Sequence, residues 1–190
     1  RSYLTPAKSI GGDLYDFFIR DDKLFFCIGD VSGKGIPAAL VMSVMHLMFR
    51  IVSNKEDDPK IILETMNNLY ASENNSSIFC TFFLGVLDLK THLLHYCNAG
   101  HELPILITNE INEIPVNANL ALGLFKGKVY RPEEIQLSPG SVFLLYTDGL
   151  KIYTTIDTRM QKYAEAAAIK QMKQVQQNFN SHWGSTNPWQ

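Results

Sequence analysis

The chain has 190 residues, 46% of them hydrophobic and 19% charged, with a formal net charge of −2. That length and composition suit a single soluble domain with a substantial core. There is no basic excess of the kind that nucleic acid or an anionic membrane surface selects, so the charge balance argues against both partners.

In chain order, apolar runs predict strands over 10–19 and 23–30, and the stretch after Pro37 predicts a helix over 37–52. Pro37 suits a first helical turn, where its missing N–H would go unbonded in any case. Residues 36–52 are apolar enough to resemble a membrane span, yet the segment is short and carries Ser43, His46 and Arg50. It reads as a buried core helix, with His46 as a core or edge histidine. A second helix is expected over 59–73, with Ile62, Met66, Leu69 and Tyr70 on one face. Strand-like runs come next at 79–87, 93–98, 104–107, 113–116, 134–137 and 141–146, separated by turn signals at Leu89-Lys90-Thr91, Asn109 and Ser138-Pro139-Gly140. Strands joined by turns indicate antiparallel sheets. Cys27, Cys80 and Cys97 lie in apolar runs, are odd in number and have no paired spacing, which fits buried, reduced thiols of a cytoplasmic protein.

After Leu150 the character changes. Lys151, Arg159, Lys162, Lys170 and Lys173 outnumber Asp157 and Glu165, and Met160, Ala164, Ala168, Met172, Val175, Phe179 and Trp183 recur at helical spacing. An amphipathic helix is expected from about Thr158 to His182. The chain therefore divides at about residue 150, into a domain over 1–150 and a helical tail over 151–190.

Three aspartates beside glycine stand at the edges of apolar strands. They lie in Gly11-Gly12-Asp13-Leu14-Tyr15-Asp16, in Gly29-Asp30-Val31-Ser32-Gly33-Lys34-Gly35 and in Tyr146-Thr147-Asp148-Gly149. Such carboxylates, if brought together, suit Mg²⁺ or Mn²⁺, which take carboxylate, carbonyl and water oxygens. A nucleotide-binding P-loop is excluded, because only three residues separate Gly29 from Gly33 and a glycine, not Ser or Thr, follows Lys34.

Together with Phe-Leu-Gly-Val-Leu-Asp (83–88), Asn-Ala-Gly-His (98–101) and Leu-Ala-Leu-Gly (120–123), these segments occur in the order seen in the metal-dependent serine/threonine phosphatases of the 2C type. Over residues 1 to about 150 the chain resembles the bacterial branch that includes the stage II sporulation E phosphatase and the sigma-factor regulation phosphatases. The resemblance implies an α+β fold of two stacked, mainly antiparallel sheets flanked by helices. It implies that Asp30 bridges two Mn²⁺ or Mg²⁺ ions, that the Val31 carbonyl, Asp13 and Asp148 complete the metal site, and that the bridging water attacks phosphate. Lys34, Asn98 and His101 are its candidate substrate residues, each also readable as a turn residue, and Thr81 reads as a packed strand residue. The implied substrate is a phosphorylated regulatory protein of the anti-sigma-factor antagonist type, with an upstream sensor domain in the parent protein and a homodimer as the candidate assembly.

The tail from Gly149 to Glu165 resembles the segment leading into the transpeptidase domain of class A penicillin-binding proteins, which suggests a chimera joined at Asp148-Gly149-Leu150. It carries no Ser-x-x-Lys nucleophile motif. The phosphatase family's closing Asp-Asp-x-Thr type motif is absent too. Asp157, the only aspartate after Asp148, suits a helix N-cap better than a ligand. The second metal ion is accordingly expected to bind weakly and the chain to turn over slowly. A catalytically inactive phosphoprotein-binding module and a cell-wall synthesis fragment are the alternative readings.

Overall fold

A computed structural model describes residues 3–4, 11–73, 78–147 and 150–154. Among the described residues two five-stranded sheets form, with every pairing antiparallel. The first comprises β2 (Asp13–Arg20), β3 (Lys23–Val31), β4 (Cys80–Asp88), β5 (Leu93–Ala99) and β8 (Glu133–Gln136), in that spatial order. The second runs β1 (Tyr3–Leu4), β10 (Leu150–Thr154), β9 (Val142–Tyr146), β6 (Ile105–Ile107) and β7 (Ile111–Glu113). The helices α1 (Ile36–Ser53) and α2 (Pro59–Glu73) lie between β3 and β4 in sequence and pack on the first sheet.

The period-two alternation of the strands assigns each side chain to one of two layers. Leu14, Phe25, Cys27, Phe82, Leu84, Val86 and Cys97 join Ala38, Met45, Phe49, Ile62, Leu63 and Met66 of the helices in one core. The opposite face of the same strands carries Ile28, Phe83, Leu94 and Tyr96, which pack against Ile114, Phe143 and Leu145 between the sheets. Phe26, Phe83 and Phe143 meet there with ring centroids 5.9–6.3 Å apart. All three cysteines are free and buried, as expected.

The helix ends obey their sequence signals. Pro37 stands in the first turn of α1 after Gly35, whose φ of 75° a side chain would resist. Asp58 caps α2 by accepting from the Lys60 N–H at 2.8 Å, with Pro59 opening the helix.

Two sequence expectations are corrected. Helix α1 is not a buried core helix. Ala38, Met45, Phe49 and Ser53 are buried, whereas Ile36, Leu40, Val44, Leu47 and Ile51 form an exposed apolar stripe. It is long and apolar enough to cross a membrane by length and composition, but one face packs on the sheet and is held there by a salt bridge. Asp16, on the helix-facing side of β2, accepts from Arg50 and, at 2.8 Å, from His46. Burial alone would raise the Asp16 pKa; the hydrogen bonds from Arg50 and His46 outweigh it and hold the carboxyl below its ordinary value. Next, the strand expected at 113–116 forms instead at Ile111–Glu113, where the chain turns back and pairs with Ile105–Ile107 of β6. Residues 150–154, which straddle the boundary expected at 150, form a strand paired between β9 and β1. The helix expected at 158–182 and Asp157 lie outside the described residues.

Gly85 faces Phe26 directly across β3 and β4, and a Cβ there would sit 2.3 Å from the Phe26 ring. Gly85→Ala is therefore expected to lower stability by about 1–3 kcal/mol, measured by chemical denaturation. An unchanged midpoint would show that the ring can yield freely.

Candidate active site

Antiparallel pairing places Asp13 of β2 directly opposite Asp30 of β3, and Asp30 opposite Thr81 of β4. By strand parity all three project between the two sheets, at the open end of the interlayer core. The two motif aspartates of β2 thus separate. Asp13 faces the space between the sheets, while Asp16, three residues on, faces the helices and holds α1.

Gly12 shapes this edge. The Val31 N–H donates to the Gly12 carbonyl at 3.2 Å, and a Cβ on Gly12 would fall 2.7 Å from the Val31 carbonyl oxygen and 3.4 Å from Asp30 Oδ1. The space where that carbonyl and carboxylate meet is kept clear by the missing side chain. Two carboxylates and a carbonyl around such a space are the hard oxygen donors that Mg²⁺ and Mn²⁺ take, so the residues present fit the expected ions. Asp13, Asp30 and the Val31 carbonyl would hold them. Asp148 lies outside the described residues, and among the described residues no cluster of three His, Cys, Asp or Glu side chains is placed to hold a metal.

Thr147 ends the second sheet's contribution to this edge. Its hydroxyl donates to Asp13 Oδ1 at 2.9 Å, tying the two sheets together where the carboxylates converge. Sequence reading missed it, though its position within Tyr-Thr-Asp-Gly was the available signal. Thr81 is likewise more than packing. Its hydroxyl lies 2.9 Å from His101 Nδ1 and 3.3 Å from the Asp30 carbonyl oxygen.

Asn98 and His101 form a buried turn. The Asn98 amide accepts from the His101 N–H at 2.7 Å and donates to the His101 carbonyl at 2.9 Å. Gly100 between them has a φ of 71° and packs against the backbone of Ala121. Asn98 is therefore the brace of this turn. Asn119, also missed from sequence, donates to the Asn98 and Arg131 carbonyls, both at 3.1 Å, and so links the turn to the loop that leads to β8. Lys34 lies in the exposed turn before α1. A cleft of about 730 Å³, lined in part by Lys23, Asp57, Asp88, His95, Glu133 and Glu134, lies at the other end of the first sheet. Seven residue steps along β3 separate its Lys23 from Asp30, roughly 24 Å, so the cleft is distinct from the aspartate edge.

An edge of carboxylates where two stacked antiparallel sheets open, beside a buried Asn-Ala-Gly-His turn, defines a PP2C-type phosphatase domain. The family described as Stage II sporulation protein E matches residues 20–182, beyond Leu150, and the chain belongs to that family. Protein IcfG of Synechocystis is 30% identical over 175 aligned residues, covering 76% of this chain and 27% of IcfG. The phosphoserine phosphatase RsbU of Bacillus subtilis is 30% identical over 148, covering 77% of this chain and 44% of RsbU. The chain thus spans less than half the length of either relative. The structure of the RsbU and RsbW domains of Rv1364c from Mycobacterium tuberculosis matches with a TM-score of 0.68 at 28% identity, over 77% of this chain and 41% of that one.

Two outcomes test the geometry. Gly12→Ala fills the space beside the Val31 carbonyl and is expected to weaken Mn²⁺ binding at least about tenfold, or about 1.4 kcal/mol, by isothermal titration; unaltered affinity would place the ions elsewhere. His101 provides the second. Burial lowers its pKa from 6.5 to about 4, with the Tyr146 backbone pulling the other way. The unfolded chain takes up this proton below 6.5 and the folded chain only near 4, so stability is full above 6.5 and falls as pH drops through that window. His101→Gln should flatten this part of the denaturation profile by up to about 3 kcal/mol; a profile with the parental slope would contradict the burial.

Proposed function

We propose that the chain hydrolyses phosphoserine or phosphothreonine on a regulatory protein of the anti-sigma-factor antagonist type, using Mn²⁺ or Mg²⁺. The observation that carries this reading is the in-register Asp13–Asp30 pair beside the Val31 carbonyl, with Gly12 leaving the space between them clear. The relative named phosphoserine phosphatase RsbU, and the natural joining of RsbU and RsbW domains in Rv1364c, support both the chemistry and a protein substrate.

Divalent cations supply, when bound, the Lewis acidity that makes water nucleophilic at neutral pH and offsets charge developing on phosphate. The protein's part is positional. Thr147 fixes the Asp13 carboxylate by its hydroxyl, and the strand pairing fixes Asp30 opposite it. His101, held neutral by burial, adds no positive charge against the metal edge. Lys34, exposed one short turn beyond Val31, attracts the substrate phosphate as a point charge. Asp148 belongs to the same proposal as a further ligand. So does weak holding of the second ion. A cytoplasmic setting, an upstream sensor domain and a homodimer complete the reading; the exposed stripe of α1 supports the homodimer.

The test is hydrolysis of p-nitrophenyl phosphate in Mn²⁺ by the parent chain and by Asp30→Asn. The variant should keep its circular dichroism and lose at least about 100-fold in rate, some 2.7 kcal/mol. Parental turnover by Asp30→Asn would remove Asp30 from the metal site. Mn²⁺ binding without any turnover by the parent would favour the phosphoprotein-binding module.

A further inference from the structure

The loop between β7 and β8 exposes four apolar side chains while its backbone is held fast. Leu120, Leu124, Phe125 and Val129 are exposed, Phe125 at 65%. Such exposure in a slack loop would mean little. Here both flanks are buried, Leu122 fully and Tyr130 at 1%, and the backbone between them is fastened at several points.

Leu122 exchanges two backbone hydrogen bonds with Cys80, at 2.8 and 3.0 Å. Asn67 of α2, itself completely buried, spends both ends of its amide on the loop: it accepts from the Gly123 N–H and donates to the Phe125 carbonyl, each at 2.9 Å. Asn68 accepts from the Gly127 N–H at 2.8 Å, and Glu64 from the Tyr130 N–H at 3.1 Å. Three neighbouring side chains of one helix are therefore committed to presenting an apolar ridge to solvent. A fixed apolar surface loses little conformational entropy when a partner covers it.

Position and charge indicate which partner. Cys80 pairs with Val31 on one side and with Leu122 on the other, so the ridge begins two strand spacings from the candidate metal edge, roughly 10 Å. Lys126 and Lys128 punctuate the ridge, and neither joins an ion pair among the described residues.

Building on the phosphatase reading, we propose that residues 120–129 are the docking ridge for the phosphorylated protein substrate. Leu124 and Phe125 anchor an apolar patch on that protein, and Lys126 and Lys128 meet acidic groups at the patch's rim. The ridge selects the protein, while the aspartate edge acts on its phosphate. A small aryl phosphate uses only the edge.

The test is a Phe125→Ala, Lys126→Glu double variant of the full chain, altered only at exposed positions, with thermal unfolding as a check on its fold. Two substrates are compared in Mn²⁺: p-nitrophenyl phosphate and a serine-phosphorylated anti-sigma-factor antagonist protein. Binding of the fluorescently labelled phosphoprotein is measured separately, without metal, by anisotropy. The expected result is at least a tenfold rise in KM and Kd for the phosphoprotein, with its kcat and all p-nitrophenyl phosphate kinetics unchanged. Unchanged phosphoprotein KM and Kd would overturn the proposal. A parallel loss on both substrates would also overturn it, by making the loop a support of the catalytic edge. So would a changed sedimentation coefficient with unchanged phosphoprotein binding, which would make the ridge a contact between copies of this chain. If the parent hydrolyses neither substrate, the phosphatase reading falls, and the anisotropy comparison still decides the docking ridge.

Discussion

Two carboxylates stand directly opposite each other on neighbouring strands, and the rest of the site is arranged around that repulsion. Residues opposed across an antiparallel pair have Cβ atoms about 4.5–5.5 Å apart, and like charges there destabilise the sheet. The register of β2 on β3 nevertheless fixes Asp13 against Asp30, and it is enforced along eight consecutive pairs. A one-residue slip would turn Leu14 and Phe18 out of the helix-facing core and bring Asp16 away from Arg50. Packing on one face of the strand thus compels the charge opposition on the other. Divalent cations between the carboxylates would convert that repulsion into attraction, which is the physical sense of building the site here.

The second sheet contributes by closing over this edge. The aromatic contacts of Phe26 and Phe83 with Phe143 set the distance between layers, and the Thr147 hydroxyl reaches Asp13 from the end of β9. On the other flank, β4 carries Thr81 toward the buried His101, and the Asn98 and Asn119 amides tie that turn to the loop beyond. Helix α2 then fixes the same loop from outside through Asn67. A continuous path of hydrogen bonds and strand pairings therefore joins the candidate metal edge to the exposed ridge at residues 120–129.

Much of this was legible in the residues. Alternating apolar positions located β2, β3, β4, β5 and β9 within a few residues, and aspartates beside glycine singled out Asp13, Asp30 and Asp148 as candidates without showing that Asp13 and Asp30 stand opposite each other. What sequence could not show was which face each residue takes. The apolar content of α1 suggested burial, yet helical geometry gives the sheet only the stripe through Ala38, Met45 and Phe49, and its other apolar residues face outward. Leu150–Thr154 straddle the boundary read from the basic, glutamine-rich composition of residues 151–190, whereas their pairing depends on β9 and β1, the latter distant in sequence. Thr147, Asn67 and Asn119 act through contacts over 134, 56 to 58, and 12 to 22 residues, which no local pattern reveals.

Binding of divalent cations where Asp13, Asp30 and the Val31 carbonyl converge is the claim on which the function rests. The most direct measurement is anomalous X-ray scattering from crystals of the chain grown with Mn²⁺. An anomalous peak is expected within coordination distance of the Asp30 carboxylate and the Val31 carbonyl oxygen. A well-ordered Asp13–Asp30 edge with no peak there, or manganese seated instead in the acidic cleft at the other end of the sheet, would contradict it.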